Sequence, residues 1–430
     1  MRDVLVTIVI FGLIPPIFKY PWTGVLLFAW ISIFSPHRYA YGFANDFPFA
    51  MIVGAVTVFS MLLNLKQVRL PINGITLLLM ALPFWMTVTL LFALEPAAAL
   101  VRWEEVMKTF LFILISAALL HSRKQLEIFL WVIVASVGFY GIKGGIFTLL
   151  AGGGEKVYGP PGDSFLSDNN AIAAALIMTI PLMQFLSTTV SSKWIRFGLY
   201  AAMLLSGLAI LGTFSRGAFV GLMMMALFLW FKSKRKILLG LLLLPAIILS
   251  IGFMPASWTS RMDTIGTYEQ DTSAMGRINT WLMAINLAND RPLVGGGFEP
   301  YEAKTFARYA PDPTDIHAAH SIYFQMLGEH GYVGLALFVW LGLAAWMTAR
   351  RIIKMSPDGA PTTWEAGLAR AIQVSLVGYA TAGAFVNISY WDFPYYEIVI
   401  LMASALVARA AAAKPAEGTA ARAGVAFNRV

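Results

Sequence analysis

The chain has 430 residues, 58% of them hydrophobic and only 13% charged, with a formal net charge of +8 and no cysteine. A soluble domain carries roughly 25% charged residues, so this chain lacks the polar surface of one. The missing cysteines exclude disulfides and thiolate chemistry. The basic residues lie in short segments between apolar runs, which points to membrane orientation and excludes a nucleic-acid partner.

A run of about 20 apolar residues crosses a ~30 Å hydrocarbon core. In lipid it satisfies its backbone only as a helix, so the expected fold is all-α, a polytopic transmembrane bundle. Residues 4–35 come first, interrupted by Pro15, Pro16 and Lys19-Tyr20-Pro21; they form either a helical hairpin or one broken span. Met1 to Phe18 holds no small-residue cleavage site, so no cleavable signal is expected. Further spans are expected near 45–63, 72–93, 105–120, 127–149, 171–187, 195–213, 216–231, 237–254, 322–348, 366–389 and 394–411. Taking 4–35 as one unit, the favoured reading, gives about twelve spans with both termini on one side. A hairpin gives about thirteen, with the N-terminus on the other side.

Two connections are long. Residues 151–170 (AGGGEKVYGPPGDSFLSDNN) are rich in Gly and Pro, and 255–321 is the only long polar segment. Loops much longer than about 15 residues are usually functional or disordered, and an expected helix around 276–289 favours function. The chain thus divides into N-terminal membrane helices (1–254), a long loop with short helices (255–321), C-terminal membrane helices (322–411) and a tail (412–430). No internal repeat is present.

Alternating the spans puts Lys66, Arg69, Arg123, Lys124, Lys193, Arg196 and the 232–236 cluster on one side. Arg350, Arg351, Lys354 and the basic tail join them. Arg38, Arg102, Lys156, Arg216 and the long loop fall opposite. The positive-inside rule makes the first side cytoplasmic and the long loop periplasmic.

Ionisable groups within apolar runs are costly and are functional candidates by default. Arg216 stands in LGTFSRGAFVGL, between two apolar runs with almost no loop; it is a site residue or an arginine snorkelling to head groups. Arg277, in MGRINTWLMAINLANDRPLVGGGFEPY, starts an expected amphipathic helix that lies on the bundle, with Ile278, Trp281, Leu282 and Ile285 on one stripe. Gly295, Gly296 and Gly297 follow as a tight backbone passage, without the pattern of a nucleotide loop. His320, in HSIYFQMLGEHGYVG, precedes a long apolar helix, where imidazole can accept a hydroxyl proton near neutral pH. Glu329 falls about half a turn round that helix from His320 and reads as a packing residue or a buried polar contact. His317 and His320 form an HAAH pair with Asp312 and Asp315 upstream. No further His or Cys arrives at ligand spacing, and DPTD is ordinary turn chemistry, so no metal is assigned.

These pieces occur in one order: SRGA at a span junction, R-x₃-W with RPLVGGG, then HS-x-Y-x₅-EHGYVG. That order resembles the O-antigen ligase and polymerase superfamily of bacterial envelope enzymes, over roughly 195–345. Phe324 stands where leucine is usual, and His317 has no family counterpart. The resemblance implies a glycosyltransferase of the bacterial inner membrane with its site facing the periplasm. It would carry a glycan from undecaprenyl diphosphate to a hydroxyl of lipid A-core, by inversion and without metal or cofactor. It also implies that Arg216 and Arg277 hold the diphosphate and that His320 is the general base. A polysaccharide polymerase or a protein O-glycosylation ligase differs only in acceptor. A lipid-linked glycan transporter is the competing class; it would show repeats and broken helices at mid-depth, whereas the polar groups here cluster at one face.

Overall fold

The computed structural model describes residues 1–162, 164–232, 236–264, 266, 269, 271–356 and 362–413. Lys234, Arg235 and the tail from 414 onward, read above as cytoplasmic, lie outside them. The regular structure of the described residues is helical, without a strand. In chain order the helices are α1 (Arg2–Gly12), α2 (Pro15–Lys19), α3 (Trp22–Phe34), α4 (Phe49–Leu63), α5 (Gly74–Leu90) and α6 (Pro96–Leu119). Next come α7 (Arg123–Leu150), α8 (Asn169–Thr189), α9 (Lys193–Gly212), α10 (Arg216–Lys232) and α11 (Lys236–Phe253). The long loop holds α12 (Ala256–Asp263), α13 (Thr272–Asp290) and α14 (Ala303–Tyr309), and α15 (Ile322–Lys354), α16 (Trp364–Ala382) and α17 (Asp392–Ala413) close the chain. Five of these, α7, α8, α9, α15 and α17, are long and apolar enough to cross a membrane.

Residues 4–35 fold as the hairpin, not as the favoured single unit. Asp3 accepts from the Gly42 and Ala44 amides at 2.9 and 3.1 Å. At the other end the Ser60 hydroxyl reaches the Ile17 carbonyl at 2.5 Å, and Gln67 donates to Lys19 at 3.1 Å. The prolines do not end the helical path. Proline is tolerated in the first helical turn, so Pro15 and Pro16 open the short α2, and the chain reverses beyond Lys19, at Tyr20 with φ −131° and ψ 84°.

The core is built on α8, whose side chains are almost all buried between α7, α9, α10 and α16. Small residues let the backbones approach, as between membrane helices generally. A Cβ at Gly145 of α7 would stand 2.3 Å from the Leu205 carbonyl oxygen of α9.

Two corrections concern the later helices. The buried face of α13 is Gly276, Asn279, Thr280, Met283, Ala284 and Leu287, while the expected stripe of Ile278, Trp281, Leu282 and Ile285 is partly or fully exposed. Small side chains pack closest here: the Cβ position of Gly276 is already filled by the His317 ring. The span expected to reach residue 389 ends at Ala382, followed by a 3₁₀ turn over Gly383–Phe385.

The helix after His320 breaks at Gly331, with φ 66° and ψ −170°. The Gly295–Gly297 passage docks into that break: Gly296 N–H donates to the Gly328 carbonyl at 2.8 Å and Gly297 N–H to Glu329 at 2.9 Å. Tyr332 N–H then donates to Pro292 at 2.8 Å. Only glycine tolerates that φ/ψ region readily, and a Cβ at Gly331 would meet the Pro292 and Leu293 carbonyl oxygens at 2.6 Å. Gly331→Ala should therefore destabilise the chain by about 1–3 kcal/mol. Gly342→Ala, with nothing within 4 Å of its Cβ position, should leave the melting temperature in detergent unchanged. Equal melting of the two variants would contradict the docking.

Candidate functional site

Each residue of the Ser-Arg-Gly-Ala junction has a physical task. Helix α9 ends at Gly212, and Phe214 just beyond it takes the left-handed region at φ 56°. The Ser215 hydroxyl accepts from the Ala218 amide at 3.1 Å, capping α10, and donates to Asn170 at 2.7 Å. Gly217 faces Phe385, whose Cβ would lie 2.4 Å from any Cβ placed there. Ala218 is buried. These constraints fix the direction in which Arg216 leaves the helix.

Arg216 reaches into the long loop. One terminal nitrogen donates to Asp271 at 2.5 Å and to the Thr264 hydroxyl at 2.7 Å, and the other donates to Asp271 at 2.9 Å. The side chains are 12% and 18% exposed, so the fork is largely shielded from solvent. Asp271 also caps α13, accepting from the Ala274 amide at 2.8 Å. The hydrogen bond from Arg216 holds the Asp271 carboxyl down at about 2. A third arginine, Arg261, donates to the Phe214 carbonyl at 3.0 Å.

Capped this way, α13 presents Ala274, Arg277, Ile278 and Trp281, with α10's Arg216, to a cavity of about 240 Å³ that Thr264 and Phe385 also line. Arg277 makes no hydrogen bond to another described side chain. Its pKa is lowered, by burial first and then by the neighbouring Arg216 charge, while Asp168 and Asp271 oppose the shift. A guanidinium starts so far above neutrality that Arg277 remains a cation with free donors.

His320 stands beside this cavity. The Trp281 indole donates to the Ala319 carbonyl at 2.7 Å, and the Ser321 amide donates to Asn387 at 3.2 Å. Between these two anchors His320 takes φ 44°, a left-handed conformation uncommon outside glycine that concentrates at functional sites. Burial, then the Arg277 charge, lowers its pKa from 6.5, opposed by Asp168. The imidazole is therefore neutral at pH 7. Phe324, the departure from the usual leucine, stacks on Trp281 with centroids 4.9 Å apart and planes at 14°.

The structure thus brings the three sequence-predicted residues to one place. The others do not line the cavity, although the His317 charge adds to the lowering at His320. His317 pairs with Asp315 at 2.7 Å, both partly exposed, and Asp312 accepts from Thr314 within its own turn. No group of three or more metal-binding side chains forms among the described residues. Glu329 is fully buried and accepts from Tyr390 and, at 3.3 Å, from Tyr301, the buried polar contact expected of it. Sequence reasoning missed Asp271, Thr264 and Asp168. Asp271 ahead of a helical pattern signals a cap, but nothing local indicates a partner 55 residues away.

Compared with known families, residues 201–339 match the one described as O-Antigen ligase, and that segment contains Arg216, Arg277 and His320. Residues 1–191 match a family of unknown function (DUF5935). No curated protein matches the chain.

The depressed Asp271 carboxyl has a consequence for stability. A carboxyl whose folded pKa lies below its unfolded value stabilises the fold above the unfolded pKa, and that contribution is lost as pH falls through the folded one. Wild-type chain should lose stability as pH falls from the ordinary 3.8 to about 2. Asp271→Asn should be less stable at pH 7, by roughly 1 kcal/mol or more through the weakened cap and fork, and should show a shallower acid-side loss. Thermal unfolding in detergent across that pH range checks both.

Proposed function

We propose that this chain, whose residues 201–339 match the O-antigen ligase family, transfers a glycan from undecaprenyl diphosphate to a hydroxyl of lipid A-core, completing lipopolysaccharide. In this reading it is a multi-pass protein of a bacterial inner membrane, with the end bearing Arg216 and the long loop facing the periplasm. The hairpin at 4–35 then brings the span count to about thirteen, with the N-terminus outside. The observation that carries the reading is the placement of Arg216 and Arg277 on one cavity beside His320, whose pKa burial and Arg277 lower, within the family segment.

The chemistry follows from charge. A glycosyl diphosphate reacts by breaking the bond from the anomeric carbon to a phosphate oxygen, and negative charge grows on the leaving group. Guanidinium groups stay charged and match phosphate oxygens in pairs. Among the described residues Arg277 donates to no side chain, and Arg216 spends three of its five N–H groups on Asp271 and Thr264, leaving two. Asp271 would hold Arg216 in place while those two N–H groups meet the diphosphate. The acceptor hydroxyl oxygen attacks the anomeric carbon from the opposite face, His320 takes its proton, and the diphosphate departs with the bonding electrons. One displacement inverts the anomeric centre. The arginines supply the positive charge, so the reaction is expected to need no metal.

Reconstituted chain given a lipid-linked glycan and, separately, lipid A-core, a second lipid-linked repeat or a protein acceptor should add mass to lipid A-core. Gain on the second repeat instead would make it a polymerase, gain on the protein a protein ligase, and none on any would sink the glycosyltransferase reading. A positioned base contributes about 10²–10⁴-fold, so His320→Ala should lose that much single-turnover rate while still binding donor. Arg216→Ala and Arg277→Ala should lose donor affinity too, with lysine rescuing only in part. A neutral base also fixes the pH dependence: the rate should fall on acidification with a midpoint below 6.5. Arg277→Gln, which removes a cation that lowers the His320 pKa, should move that midpoint upward.

A further inference from the structure

The Gly/Pro-rich loop after α7 plays no part in the transfer chemistry, yet it roofs the largest of the pockets described, a groove of about 1350 Å³. The loop is tied down beside the site: Val157 N–H donates to the Gly212 carbonyl at the end of α9, at 2.8 Å. Ser167 lines the groove, and the next residue is Asp168, whose charge acts on both Arg277 and His320. The groove and the transfer site are therefore neighbours on one end of the bundle.

The groove is basic. Arg38, Lys143 and Lys156 line it, together with Arg2. No carboxylate is among its lining residues; Asp46, 86% exposed, lies 3.6 Å from Arg38, Glu155 beside Lys156 is exposed, and Asp3 is occupied by two backbone amides. Lys143 is the telling member. It lies seven residues before Leu150, the last of α7, hence about 10 Å below the helix end. On the same helix Phe139, Ile146 and Phe147 are 43%, 45% and 41% exposed, the face a membrane helix turns to lipid. The Lys143 ammonium sits 4.9 Å from the centre of the Tyr39 ring, held toward the groove. A cation at that depth on an apolar face is costly unless an anion meets it. Like charges gathered on one concave surface raise the local concentration of anions.

We propose that this groove binds the phosphorylated headgroup of a membrane glycolipid, with Arg38, Lys143 and Lys156 on its phosphates and its acyl chains along the Phe139–Phe147 face of α7. The identification of that lipid as the acceptor rests on the transfer reading above. The donor's diphosphate is assigned there to Arg216 and Arg277, so a second phosphate-binding place, open to lipid and next to His320, suits the other reactant. An acceptor diffusing in the membrane would enter sideways beneath the Gly/Pro loop and bring its sugar hydroxyl toward the imidazole.

The test is equilibrium binding of bisphosphorylated lipid A to the purified full chain in phosphatidylcholine nanodiscs, without donor. Lys143→Leu with Lys156→Ser, both at exposed positions and with folding checked by thermal shift, should weaken binding by roughly tenfold or more, the scale of losing charge-assisted hydrogen bonds. Lipid A stripped of phosphate should bind wild type as weakly as bisphosphorylated lipid A binds the variant, and excess phosphatidylglycerol should not compete. Unchanged affinity in the variant, equal affinity for the stripped lipid, or full competition by phosphatidylglycerol would each overturn the proposal. The fate of the transfer reading is seen separately. His320→Ala should bind lipid A normally while losing transfer. A wild type that binds lipid A through the lysines yet transfers nothing to any acceptor would remove the transfer reading and leave the groove. Normal transfer by a lysine variant of unchanged affinity would remove the groove and leave the reading.

Discussion

The fork between Arg216 and Asp271 ties the long polar loop to the membrane bundle, and the placement of the site depends on it. Arg216 is the first residue of α10, fixed by the Ser215 cap and by Gly217 against Phe385. Asp271 is the cap of α13. One carboxylate therefore starts the loop helix and anchors it to the span junction. Removing either partner of a shielded ion pair leaves an uncompensated charge, so the arrangement resists drift. Arg277 sits on the cavity because its helix begins where Asp271 is held.

A second tie closes the same segment at its far end. Gly296 and Gly297 donate to carbonyls of Gly328 and Glu329 where α15 breaks. Between the two ties run α13, α14 and the stretch leading to His320, which the Trp281 and Asn387 hydrogen bonds hold in a left-handed turn. Backbone strain of that kind persists only when its surroundings over-determine it. The two ties supply that constraint, one ionic and one made wholly of main chain.

Much of this was legible in the sequence, for reasons that also explain what was not. Long apolar runs have one solution in lipid, so the helices from α4 to α11 and from α15 to α17 fall close to their expected places. The first 35 residues were ambiguous because a proline pair can open a helix as well as break one. The buried face of α13 was misplaced because hydrophobicity marks large side chains, whereas packing selected Gly276, Thr280 and Ala284. Arg216, Arg277 and His320 stood out as polar groups beside apolar runs, and their convergence is tertiary. Asp271, Thr264 and Asp168 carry no comparable signal: an aspartate or threonine in a polar loop is unremarkable until an arginine from a distant helix arrives.

The electrostatics of the cluster serve, on the proposed reading, two requirements at once. A site for a diphosphate must stay positive, and a general base must stay unprotonated; the same guanidinium meets both. Among the described residues Arg277 has no hydrogen-bonding partner, so its charge is available to an anion, and that charge adds to burial in lowering the His320 pKa. Asp271 does not cancel the array, since it engages one arginine of three and leaves that one with free donors. Asp168 acts in the opposite sense, restraining the shift on both Arg277 and His320. Arrival of the diphosphate would itself offset part of the arginine field, raise the basicity of His320 and make it a better acceptor of the hydroxyl proton once donor is in place. Donor binding and base strength are then coupled through one charge, which favours proton transfer in the loaded site over the empty one.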